Sequence, residues 1–170
     1  MNLRKELLSK NSVEHVTGLA RSVIDDHRAI AALVTMMLSN EHRTGQRAAH
    51  VLSKCADLNP KALEPYMDQV IHHLCHQELG VAAKRNSLRI LQFMDIPENQ
   101  WGSMADLCFN ILLSSEEPIA VKVFAMTNLH HICEHLPELQ HELRIILEDQ
   151  LPYGSAGFRS RASKILKKLN

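Results

Sequence analysis

Histidine is the residue type through which this chain could most directly do chemistry: eleven of its 170 residues are histidine. Two clusters stand out, His72-His73-Leu74-Cys75-His76 and His130-His131-Ile132-Cys133-Glu134-His135. A separation of four residues sets His72 beside His76, and His131 beside His135, on one helical face, as two ligands are offered to a metal ion. A closed zinc site needs a third and fourth ligand, and neither cluster carries the HExxH pattern. Cys75 and Cys133 fall on the apolar stripes and point away from the pairs. The pairs are therefore read as solvent-facing histidines, with metal ligation as the alternative, and no cofactor is expected.

A second set of residues is basic. Arg47, His50 and Lys54; Asn86, Arg89 and Phe93; Phe124, Thr127 and His131; and Arg161, Lys164 and Lys168 stand five before, two before and two after Leu52, Leu91, Leu129 and Leu166. Helical arithmetic turns these positions away from the core. Six of the twelve are lysine or arginine, two are histidine and none is acidic. Such a stripe can grip phosphates or an acidic peptide, or it can be a solvated helix face. The residues named for binding are Arg47, Lys54, Arg85, Arg89, Arg161 and Lys164. Trp101 joins them as an exposed anchor if it is not core alongside Met104, Leu107 and Cys108; Tyr66 has the same ambiguity. No nucleophile elbow, Walker loop, GxGxxG or paired catalytic carboxylate occurs, and six glycines leave little for phosphate-cradling loops. The chain is expected not to be an enzyme.

The elements that must carry these residues are legible in a four-fold echo. The four leucines are 39, 38 and 37 residues apart, and four residues before each stands Ala48, Ser87, Ala125 or Ala162. Pro60, Pro97 and Pro137 follow the first three. A period of this size predicts stacked helical pairs. The first (A) helix of each pair is expected at roughly 43–57, 79–95, 118–135 and 157–169. The prolines open the second (B) helices in their first turn, where the missing N–H has no partner, and Glu64, Glu98 and Glu138 suit the dipole there. The B stripes are Met67, Val70, Ile71 and Leu74; Met104, Leu107, Cys108 and Ile111; and Leu139, Leu143, Ile146 and Leu147. Towards the N-terminus a short helix precedes one capped by Ser12, with Val13, Val16, Ala20 and Val23 inward. Another runs from about Asp26 to Leu38 with Ile30, Leu33, Val34 and Met37 inward.

The resulting expectation is one all-α domain over 1–170, an α-α solenoid of about four to five helical pairs. Residues 1–42 form a degenerate cap, 43–78, 79–117 and 118–154 are repeats, and 155–170 is a capping helix. Composition agrees: 45% of residues are apolar and 4% aromatic, as a helical core of Leu, Ala, Met and Ile requires. Lysine plus arginine equals aspartate plus glutamate at 19 each, so no global field draws nucleic acid or an anionic membrane. The B segments 97–114 and 137–151 are acid-rich, which predicts a basic A side and an acidic B side. The uncharged run 29–40 is too short to span a bilayer, the first residues are no signal peptide, and four cysteines without CxxC read as buried hydrophobes in a reducing compartment. A cytoplasmic protein without membrane contact is expected.

Alternating A and B helices at this spacing, with proline at the A–B turn and small residues on the A face, resemble HEAT repeats of the armadillo-type superhelix. The resemblance covers 43–170 well and 12–42 loosely. The stretches 84–91 and 118–126 are similar to small bacterial HEAT-like proteins sometimes labelled adenylosuccinate lyase. This chain lacks the Ser-Ser-x-Met-Pro-x-Lys-x-Asn loop of that lyase and is too short to build it, so the label is not carried over. HEAT-like alkylpurine DNA glycosylases are a related comparison, but no Trp-with-Asp arrangement accompanies Trp101. The resemblance implies a protein partner, or alternatively a nucleic acid on the basic A face, and fold alone selects neither.

Overall fold

Helix-forming residues run almost unbroken between short capped turns, and the computed structural model, which describes residues 2–39 and 41–169, is all-α, with no strand among the described residues. The chain divides into two compact units, Met1–Met94 and Asp95–Asn170.

The first unit contains α1 (Leu3–Ser9), α2 (Val13–Val23), α3 (His27–Leu38), α4 (His42–Leu58), α5 (Met67–His76) and α6 (Val81–Leu91). Side-chain caps start the early helices. Ser12 accepts from His15 N at 3.2 Å, and Asp26 accepts from Arg28 N and Ala29 N at 2.9 and 3.1 Å. Each such cap is worth about 1 kcal/mol. The 17-residue α4 is the hub, packed against α1, α2, α3 and α6. Ala48, Ala49, Leu52 and Cys55 of α4 are fully buried, as are Ser87, Leu88 and Leu91 of α6. Gly45 lets α3 come close: a Cβ there would stand 3.0 Å from the Met36 carbonyl oxygen.

The second unit contains α7 (Trp101–Leu113), α8 (Ile119–His135), α9 (Gln140–Gln150) and α10 (Ala156–Leu166). Here the hub is α8, also 17 residues, packed on α7, α9 and α10. Val121, Ala125, Met126, Leu129 and Cys133 of α8 have no exposed surface.

Several expectations need correcting. The prolines do not open the B helices directly. They begin or precede 3₁₀ turns at Pro60–Ala62, Glu98–Gln100 and Pro137–Leu139, and Pro65 lies in a further turn, Glu64–Tyr66. The reason is local: Leu63 N donates to Pro60 O at 2.9 Å and Gln100 N to Pro97 O at 2.9 Å, i→i+3 bonds that hold the entry before α-geometry begins. Val13, expected inward, is 64% exposed, because Val16, Leu19, Ala20 and Val23 already fill the buried face of α2. Asn86, expected outward, is buried, its amide donating back to Ala82 O at 2.9 Å. Leu166, the fourth marker, is only half-buried, at the last position of α10.

Candidate functional site

On α4 the positions Arg43, Gln46, Arg47, His50 and Lys54 recur every three or four residues and share one face. Arg47 is half-buried and donates from Nη1 to Leu7 O at 2.7 Å and Lys10 O at 3.2 Å. These carbonyls belong to the open end of α1, where backbone acceptors have no intrahelical donor. Arg89 of α6 reaches back to α4 in the same manner. It donates to Ser53 O at 3.0 Å and to the Ser53 hydroxyl. Its Nη2 also grips both oxygens of Asp57, at 2.8 and 3.1 Å. Lys54 lies 3.3 Å from the same carboxylate, so one acid answers two of the predicted binding cations.

Between these clasps lies a cavity of about 220 Å³ lined by Asn11, Arg43, Gln46, Arg47, His50 and Arg85. Arg43 and Arg85 are exposed and enter no ion pair among the described residues. Burial first, and then the charges of Lys54, Arg85 and Arg89, hold the His50 imidazole below its ordinary pKa. Both causes disfavour the charged ring there.

The A face of the second unit is built from different groups. Arg161 of α10 donates to the Thr127 hydroxyl of α8 at 2.6 Å, and Lys164 is exposed. A cavity of about 230 Å³ is lined by Ile119, Lys122, Asp149, Gln150, Tyr153, Gly154 and Phe158. Tyr153 is 90% exposed at its rim. Gly154 is needed there, since a Cβ would fall 2.6 Å from the buried Phe158 ring.

Three times, then, an A-helix arginine reaches the helix or carbonyl end one repeat earlier, across 40, 36 and 34 residues. A family model of the HEAT repeat domain matches residues 3–169. The chain belongs to the HEAT-repeat family. No curated protein and no solved structure matches it.

Within these HEAT repeats the histidine pairs separate. His72 and His76 are exposed, with ring centroids 4.8 Å apart, while His73 Nδ1 is bonded to Gln69 O at 2.9 Å. No group of three or more metal-ligating side chains occurs among the described residues. In the second cluster His135 stacks on Trp101, with centroids 4.4 Å apart and planes 14° apart. Trp101 is half-buried, and its indole N–H donates to Ile96 O at 2.8 Å.

His130, placed by its spacing on a solvent-facing cluster, is instead buried. Neither ring nitrogen has a hydrogen-bond partner among the described residues, and Glu134 stands 3.8 Å away. Burial lowers its pKa, with Glu134 acting in the opposite sense. Burial also raises the Cys55 thiol to about 12 and, with help from Glu138, the Cys133 thiol to about 11. At neutral pH both are protonated and poor nucleophiles.

Sequence reasoning missed Asn11, Arg43 and Gln46 of the cavity, and Ser53 and Asp57 of the clasp. Arg43 and Gln46 were findable, one helical turn before Arg47 and His50. Asp57 was not, because its bond to Arg89 joins two repeats.

Proposed function

We propose that this HEAT-repeat protein is a non-catalytic interaction module that binds a protein partner on its A-helix face. The observation that carries the reading is the division of labour among the basic residues. Arg47, Arg89 and Arg161 brace neighbouring helices; in the first unit this leaves Arg43 and Arg85 to meet a partner around the cleft, and in the second Lys164 stands exposed. Phe93, just beyond α6, is 47% exposed beneath the Arg89 guanidinium at 5.9 Å. An aromatic–arginine pair of this kind is a common interface anchor. The thiols raised by burial argue against cysteine nucleophile chemistry, and no described helix is long and apolar enough to cross a membrane. A cytoplasmic location fits the reading.

The test is photocrosslinking in the native host, with benzoylphenylalanine at Phe93 and, as control, at Gln69 on α5. Discrete protein adducts at position 93 and not at 69 are expected; equal adduct patterns at both would reject the A face.

The unpaired Arg43 and Arg85 are the specific observation favouring a nucleic acid instead. Phosphate-backbone binding weakens steeply as salt rises, so a gel-shift series across salt with Arg43→Glu/Arg85→Glu as control separates the two. Arg47 and Arg89 make poorer controls, because their loss also unfastens helices.

A further inference from the structure

The cleft between α4, α6 and the α1–α2 link has a chemistry more specific than basic. Its lining includes three arginines and one histidine, with Asn11 and Gln46 as amides, and neither a carboxylate nor an apolar side chain. Nearby acids are spent elsewhere: Asp57 faces Arg89 and Lys54, and Glu41 faces Arg4. The positive excess of this face therefore collects at Arg43, Arg47 and Arg85. Arg47 is already held by its two bonds to carbonyls of residues 7 and 10, so its fork is aimed before any ligand arrives. Such preorganisation lowers the ordering cost of binding.

Guanidinium forks around a concave site suit an anion that offers several oxygens in different directions. A tetrahedral dianion can engage two forks and an amide at once, whereas a carboxylate presents two oxygens in one plane. A nucleic-acid track is a poorer fit. It needs a row of available cations spaced along the backbone, and the next cations along this unit's face, Arg89 and Lys54, are held by Asp57. We propose that this cleft binds one phosphate group, carried on a phosphorylated side chain of a protein partner. The carrier rests on the partner-binding reading above; the phosphate chemistry rests on the cleft alone.

The experiment follows the arginine Nε–H signals of the full chain by NMR. Inorganic phosphate is added at fixed ionic strength against chloride. Saturable shifts at Arg43, Arg47 and Arg85 are expected, and Arg43→Gln/Arg85→Gln weakens the apparent affinity by about 10-fold or more. Both substituted residues are exposed, and unchanged circular dichroism verifies the fold. Absence of a saturable shift, or an unchanged affinity in the double variant, overturns the phosphate site.

A degenerate peptide library with a central phosphoserine, its unphosphorylated twin and a single-stranded oligonucleotide then identify the carrier. Enrichment of phosphorylated peptides over their twins supports the assignment. Equal retention of both, or tighter cleft binding by the oligonucleotide, overturns the protein carrier while leaving the phosphate result standing. Loss of protein crosslinks at Phe93 alongside an intact phosphate response would reject the partner reading alone.

Discussion

The two units solve the same packing problem with different outer faces. In the Met1–Met94 unit, α4 and α6 meet through a charged clasp, Arg89 on Ser53 and Asp57, beside an open cleft where Arg43 and Arg85 enter no ion pair among the described residues. In the Asp95–Asn170 unit, α8 and α10 meet through one neutral acceptor, Thr127, under Arg161. There α8 carries buried His130, and its last residue, His135, stacks on Trp101 of α7. The hub helices are equally long and equally buried along their apolar stripe, so the core does not explain the difference. What differs is whether a residue one repeat away can neutralise the charge. A basic residue on a repeat surface is thus no guide to binding until the reach of the preceding repeat is known.

The largest expected effect concerns what the units share. Leu52→Ala and Leu129→Ala remove fully buried side chains and should each cost about 2–5 kcal/mol of unfolding free energy. Leu166→Ala, half-buried, should cost about 1 kcal/mol. Urea unfolding by circular dichroism ranks them, and an equal loss at all three positions would mean the last repeat is as tightly packed as the others.

Next come the clasps. Arg89→Ala strips a partly exposed carboxylate and a serine of their donor and should cost about 1–2 kcal/mol at low salt, less at 1 M. Arg161→Ala, losing one bond to a hydroxyl, should cost about 1 kcal/mol with little salt dependence. Matched salt responses of the two variants would contradict the distinction between charged and neutral clasps.

The histidines give a pH signature. Both His130 and His50 are held below their ordinary pKa, chiefly by burial. The unfolded chain, titrating near 6.5, therefore binds more protons than the folded one just below that pH. Their contribution is complete above about pH 6.5 and is lost as pH falls towards the folded values. His130→Leu should flatten the fall in stability between pH 7 and pH 5, and it also replaces an unpartnered imidazole with an apolar group, a change expected to be neutral or stabilising at neutral pH. The single tryptophan, Trp101, reports unfolding of the second unit by fluorescence for His130→Leu, circular dichroism follows His50→Gln, and a pH slope unchanged in both variants would remove this account.

The smallest effect is the most informative about function. Arg43→Gln/Arg85→Gln should move stability by no more than about 0.5 kcal/mol, unlike either clasp variant. A thermal-melt shift matching that of Arg89→Ala would show that these arginines also brace the fold.

How much of this was visible in the chain depends on the range of each interaction. Leu52, Leu91 and Leu129, with Ala48, Ser87 and Ala125, announced the buried faces of α4, α6 and α8, because a helical period is written in residues three and four apart. Ser12 as a cap was equally local. Val13 was misplaced because an aliphatic residue at the first helical turn can face either way until a neighbour packs. Spacing alone set His131 and His135 on one helical face, but the stack of Trp101 on His135 joins two helices and could not be read from spacing.

The order of residues along the chain settled that this protein is helical, repeated and a HEAT-family member, since period, small-residue positions and proline punctuation are properties of neighbours in sequence. Which arginines clasp and which stand open was settled by packing, since Arg89 finds Asp57 and Arg47 finds Leu7 across more than thirty residues. Charge composition counts cations; distance between folded helices determines which of them already have a partner.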